Sequence, residues 1–129
     1  MTLAFRTLLI AALASGVTTG ATTAVWAQEP PAAPADFSAC GFCHETRAGA
    51  PAGLGPNLFG VGGRKAGGVE GYDYSDAMKK YAQPWTAENL QAFILDPAKT
   101  VPGNKMDYPG ANDAAAAKAI ADYLLSLKG

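Results

Sequence analysis

The chain has 129 residues, the size of one domain, and its 49% apolar and 16% charged composition is globular rather than disordered. Ten Lys/Arg against eleven Asp/Glu leave a formal charge of −1, which speaks against a nucleic-acid binder held by phosphate contacts. The length excludes a multidomain enzyme. Both Cys and the single His fall between Cys40 and His44.

Residues 1–27 read as an export segment. Arg6 is the only charge, Leu8 to Ala14 forms a short apolar core, and Val25-Trp26-Ala27 before Gln28 suits a signal peptidase. A retained anchor competes, because Thr7 to Ala27 is an uncharged run about long enough to span a bilayer. Four threonines (Thr18, Thr19, Thr22, Thr23) and two glycines (Gly16, Gly20) dilute its apolarity. Either way the rest of the chain lies outside the cytoplasm, in a periplasmic setting. Cleavage after Ala27 removes Arg6 and leaves nine basic against eleven acidic residues, a charge of −2. Residues 28–34 form a Pro/Ala-rich leader, and a folded domain is expected over 35–129.

Along that domain, Asp36 to Glu45 reads as a short first helix, with Asp36 near its positive end. Gly and Pro crowd the segment from Arg47 to Gly71, which predicts a long structured loop. Ser75 to Tyr81 suits a second short helix stopped by Pro84. Thr86 is an N-cap for a third, with Trp85 and Leu90 at the staple positions and Pro97 ending it. Asn112 is expected to cap a last helix from Asp113 to about Leu127, with Ala117, Ile120, Leu124 and Leu127 on one face. No alternating strand pattern with hairpin turns occurs, so the class is all-α. A small domain so rich in loops needs a staple: a metal, disulfides or a large apolar cofactor.

Cys40-Gly41-Phe42-Cys43-His44 matches the c-type haem attachment signature. Two thiols three residues apart on a helical turn can add to the two vinyl groups of one haem, and the next residue can ligate its iron. A Cys40–Cys43 disulfide would close a tiny loop and stabilise little. A thioredoxin-like pair would want a βαβ context, and zinc would want further Cys or His ligands outside this motif, which the chain does not have.

Five further blocks accompany the motif: Gly55 to Gly60, Gly63 to Gly67, Gly71 to Ala77, Trp85 to Pro97, and Pro102-Gly103-Asn104-Lys105-Met106. In order and spacing they resemble the class I c-type cytochromes, the family of mitochondrial cytochrome c and its bacterial counterparts. The resemblance spans nearly the whole chain after residue 27. It implies the small class I cytochrome c fold wrapped around one haem c attached through Cys40 and Cys43, with His44 and Met106 as iron ligands. A thioether ligand favours ferrous iron and raises the reduction potential. It further implies that the Pro56 carbonyl receives the second ring N–H of His44, and that Arg64, Tyr74 and Trp85 surround a haem propionate.

Two departures stand out. Phe93 occupies a position where relatives commonly carry Tyr, and Met78 one where many carry Asn. Both put apolar groups behind the haem. The function implied is a soluble, monomeric one-electron carrier, not an enzyme, exchanging electrons with an oxidase, reductase or dehydrogenase. The alternatives are an open-site haem protein in which Met106 is not a ligand, and a membrane-anchored subunit that keeps residues 1–27. Neither nucleic acid nor, once residues 1–27 are removed, membrane is an expected partner.

Overall fold

The computed structural model describes residues 31–128. The expected export segment 1–27, and the start of the leader that follows it, lie outside the described residues. Among the described residues, five short α-helices carry the fold. A 3-10 turn over Ala35–Phe37 runs into α1 (Ser38–Gly41); then come α2 (Asp76–Tyr81), α3 (Ala87–Leu95), α4 (Pro97–Thr100) and α5 (Ala114–Ser126). The all-α expectation holds, with one isolated antiparallel bridge, between Lys65 and Pro84. Among the described residues, no helix is long and apolar enough to cross a membrane.

The first helix is shorter than the pattern Asp36 to Glu45 suggested. The carbonyls that would extend it are taken by the long loop: Gly55 N–H donates to the Cys43 carbonyl and Leu58 N–H to that of Glu45, each at 2.8 Å. Helix α3 starts as expected on Thr86, whose hydroxyl accepts from Asn89 N–H while the Asn89 side chain accepts from Thr86 N–H. Pro97 does not simply stop it. Asp96 ends α3 and caps α4, its carboxylate accepting the Lys99 amide at 3.0 Å, and Pro97 fills the first helical position, where its missing N–H costs nothing. The cap of α5 is Asp113, not Asn112: the Asp113 carboxylate accepts Ala116 N–H at 2.8 Å.

The core sits where α3 meets α5. Leu90, Phe93 and Ile94 face Ala117, Ile120, Ala121 and Leu124, and Ile120 is wholly buried. The small Ala117 and Ala121 let the two helices approach closely. The chain start is fixed to α5 by an edge-on contact of Phe37 with Tyr123, ring centroids 4.8 Å apart. Gly110, at φ +110°, lies so near the Leu95 carbonyl that a Cβ there would collide with it. Ala111 N–H then donates to the Ile94 carbonyl at 3.0 Å and sets the entry into α5. The Gly-rich loop runs from Arg47 to Gly71. It is tied down by Gly60 N–H to the Leu127 carbonyl and by reciprocal backbone bonds of residues 63 and 64 with Trp85.

Candidate functional site

A cavity of about 410 Å³ opens beside the α3–α5 core, in the size range of cofactor pockets. Cys40, Cys43, His44 and Pro56 form one wall. Arg64, Tyr74, Trp85 and Met106 line it elsewhere. All eight residues singled out in the sequence therefore converge on one space, although they are spread over sixty-seven positions of chain, from Cys40 to Met106.

Helix α1 and the turn after it present the reactive end. His44 N–H donates to the Cys40 carbonyl at 2.9 Å, so the turn stays helical enough to bring Cys40, Cys43 and His44 to the same wall. Cys40 and Cys43 form no disulfide, which leaves both sulfurs available for attachment to a cofactor.

The His44 ring is oriented by a backbone carbonyl. Its Nδ1 stands 2.8 Å from the Pro56 carbonyl, which can only accept, so Nδ1 carries the proton and Nε2 keeps its lone pair. Burial lowers the ring pKa, which favours the neutral form a metal requires. Gly55 makes this possible: a Cβ at that position would stand only 2.3–2.9 Å from three atoms of the imidazole ring.

Arg64 plays a double part. One guanidinium nitrogen donates to the Asn57 carbonyl at 2.8 Å and the other to that of Phe59 at 3.1 Å, so the side chain holds the Gly-rich loop while it lines the cavity. Burial lowers its pKa, and the neighbouring Tyr74 acts in the opposite direction. Tyr74 is itself raised by burial. Trp85 is buried between Tyr81 and Phe93, at centroid distances of 5.7 and 5.2 Å.

Met106 is held by a residue that sequence reasoning passed over. Asn104 Oδ1 accepts the Met106 amide at 2.9 Å, and Asn104 Nδ2 donates to the carbonyls of Pro97 and Val101, each at 2.9 Å. The available signal was Asn after Pro-Gly, a frequent former of side-chain-closed turns. Tyr72, which lines the cavity and donates to the Leu54 carbonyl at 2.8 Å, was missed likewise. Met78 and Phe93 line the wall with apolar surface, as their types implied.

These groups fit a covalently held haem: two cysteine sulfurs not engaged in a disulfide, a neutral imidazole with its lone pair available, and a thioether, around a mostly apolar space. No group of three or more His, Cys, Asp or Glu able to hold a bare metal ion occurs among the described residues.

No family model matches the chain. Cytochrome c2 iso-2 of Magnetospirillum molischianum is 42% identical over 96 residues, 74% of this chain and 98% of that protein. Cytochrome c2 of Rhodoblastus acidophilus is 41% identical over 102 residues, 79% of this chain and 95% of that one. Among solved structures, cytochrome cH from Methylobacterium extorquens superposes with a TM-score of 0.64 at 42% identity, covering 69% of this chain and 89% of its own.

Proposed function

The chain belongs to the class I cytochromes c, electron carriers with covalent haem and no enzymatic activity of their own, and from that premise we propose that it is a periplasmic monohaem carrier in which His44 and Met106 would hold the iron. The observation that carries this reading is the convergence of Cys40, Cys43, His44 and Met106 on one cavity. Haem supplies the one-electron iron couple. The protein supplies the rest. The Pro56 carbonyl fixes the His44 tautomer and strengthens its donor nitrogen. The Met106 thioether, soft and neutral, would favour the ferrous state and occupy the position a substrate would need.

Arg64, Tyr74 and Trp85 are proposed to meet a haem propionate, where a cation and polar donors offset the cost of burying a carboxylate. The apolar wall of Phe93, Met78, Ile94 and Leu124 excludes water, which keeps reorganisation small when the charge on the iron changes. Electrons then pass singly between redox proteins such as a dehydrogenase, a reductase and an oxidase. Export is proposed to proceed through residues 1–27.

Optical spectra of the purified protein, oxidised and reduced, test the ligation. The ferric form is expected to show the charge-transfer band of a Met–iron bond, and Met106→Ala is expected to abolish it. A wild-type spectrum without that band would favour the open-site alternative. The mass of the isolated protein, and its division between soluble and membrane fractions, test cleavage at Ala27.

A further inference from the structure

The loop that carries Met106 is fastened at its two ends and at one point between them. Asn104 fixes the near end to Pro97 and Val101, and Ala111 N–H, bonded to the Ile94 carbonyl at 3.0 Å, fixes the far end. Among the described residues, every hydrogen bond of residues 102–110 stays with Pro97, Val101 or the loop itself, save one. The exception runs from Lys105, the neighbour of Met106, to the Asp73 carboxylate at 2.7 Å, thirty-two positions earlier in the chain.

That bond joins separate parts of the cavity wall. Lys105 Nζ also stands 5.9 Å from the centroid of the Tyr72 ring, and the Tyr72 hydroxyl donates to the Leu54 carbonyl at 2.8 Å. Lys105, Met106, Tyr72 and Leu54 all line the cavity. One ammonium group therefore connects the segment presenting the thioether to a second segment, which is bonded in turn to a third. Lys79 Nζ lies 3.9 Å from the other Asp73 oxygen, beyond hydrogen-bond reach.

The bond is open to solvent, with the Lys105 and Asp73 side chains 48% and 88% exposed. A pair of this kind shifts an open–closed equilibrium by only about 1.4- to 5-fold, and salt screens it. It is weak enough to break often and is the one tie of its kind.

We propose that Asp73 is a positioning residue for Met106: through Lys105 it clasps the Met106 loop to the Tyr72–Tyr74 segment, and release of the clasp sets how readily a small ligand displaces the thioether. The proposal rests on the reading of Met106 as an iron ligand and adds the device that keeps it in place.

The probe is imidazole, largely uncharged at about pH 8, so that its approach is not itself steered by salt. Ferric holoprotein is mixed with imidazole at concentrations that saturate the rate, and loss of the Met–iron band is followed. At about 10 mM salt, Asp73→Asn and Lys105→Gln are each expected to react about 1.4- to 5-fold faster than wild type. The double variant is expected to be no faster than either single one, because removing one partner already ends the pair. Asp73→Glu keeps the carboxylate and is expected to return the rate toward wild type. Lys79→Gln leaves the 2.7 Å bond intact and is expected not to raise the rate. At about 300 mM salt the gap between wild type and Asp73→Asn should narrow.

Equal rates in wild type and Asp73→Asn would overturn the proposal, as would effects that multiply in the double variant. A gap undiminished by salt, or a rise in Lys79→Gln as large as in Asp73→Asn, would also overturn it. Failure of the underlying reading is separately visible: a ferric wild-type spectrum without the Met–iron band would show it before any imidazole is added.

Discussion

Asn104 and Met106 are joined by a hydrogen bond of 2.9 Å from the Met106 amide to the Asn104 side-chain oxygen, while the other end of that amide group bonds the carbonyls of Pro97 and Val101. One short side chain therefore uses its acceptor and both its donors to fasten the Met106 loop to α4. The entropy of a loop that must present one sulfur atom is reduced before any ligand arrives.

Asn104→Ala is expected to cost about 1–3 kcal/mol of stability, because a half-buried amide and two half-buried carbonyls lose their partners together. The Met–iron band of the ferric protein should weaken on warming well before global unfolding. Thermal melts followed both in the far ultraviolet and at that band check this. Coincident transitions with an unchanged midpoint would show that the loop holds itself.

Gly55→Ala is expected to do more damage than its size suggests. The added methyl overlaps the His44 ring, and backbone must move to admit it, at a cost of about 1–3 kcal/mol. Displacing the ring also disturbs the bond from Nδ1 to Pro56. Lower yield of holoprotein and a lower reduction potential are the expected outcomes, read by haem staining and by voltammetry.

Most of the site was legible in the sequence because its chemistry uses scarce residue types. Two cysteines, one histidine and a methionine between prolines leave few assignments open, and periodicity placed Ile120 and Leu124 on the buried face of α5. What escaped depends on partners far along the chain. The end of α1 is set by amides at Gly55 and Leu58, and no window around residue 45 contains them. Helix α4 was hidden because a proline that ends one helix also suits the first position of the next. Asn104 and Tyr72 act through backbone carbonyls, which carry no residue-type signal at all.

Cys40→Ala or Cys43→Ala is expected to leave haem lost or singly attached, with the haem-free chain largely unfolded. Phe93, Ile94, Ile120 and Leu124 belong both to the core and to the cavity wall. The cavity opens to solvent, so without haem these apolar faces would meet water instead of the cofactor; at about 25 cal/mol per Å² of apolar surface the lost burial is on the order of several kcal/mol. That is a large fraction of the whole stability of a small domain. Circular dichroism of the haem-free chain checks it; native helix content with a cooperative melt would contradict the estimate.

Phe93→Tyr separates two ways in which a ring behind the haem could act on the Met106 bond. Phe93 is buried against Trp85, lines the cavity that Met106 also lines, and has no hydroxyl to offer. A donor to the thioether would withdraw electron density from sulfur and weaken its bond to ferric iron. Without one, the wild-type bond should better resist displacement at high pH. One weak hydrogen bond amounts to about 1 kcal/mol, which is less than one pH unit in the transition, so the sign carries the prediction. The opposing effect is that a tyrosine hydroxyl could anchor a buried water and stiffen the pocket. The apolar neighbours Met78 and Leu90 offer such a water no side-chain partners, so the donor effect should prevail. Titrating both proteins while following the Met–iron band decides between them: the transition should fall at lower pH in Phe93→Tyr, and a shift to higher pH would mean that water anchoring governs the bond.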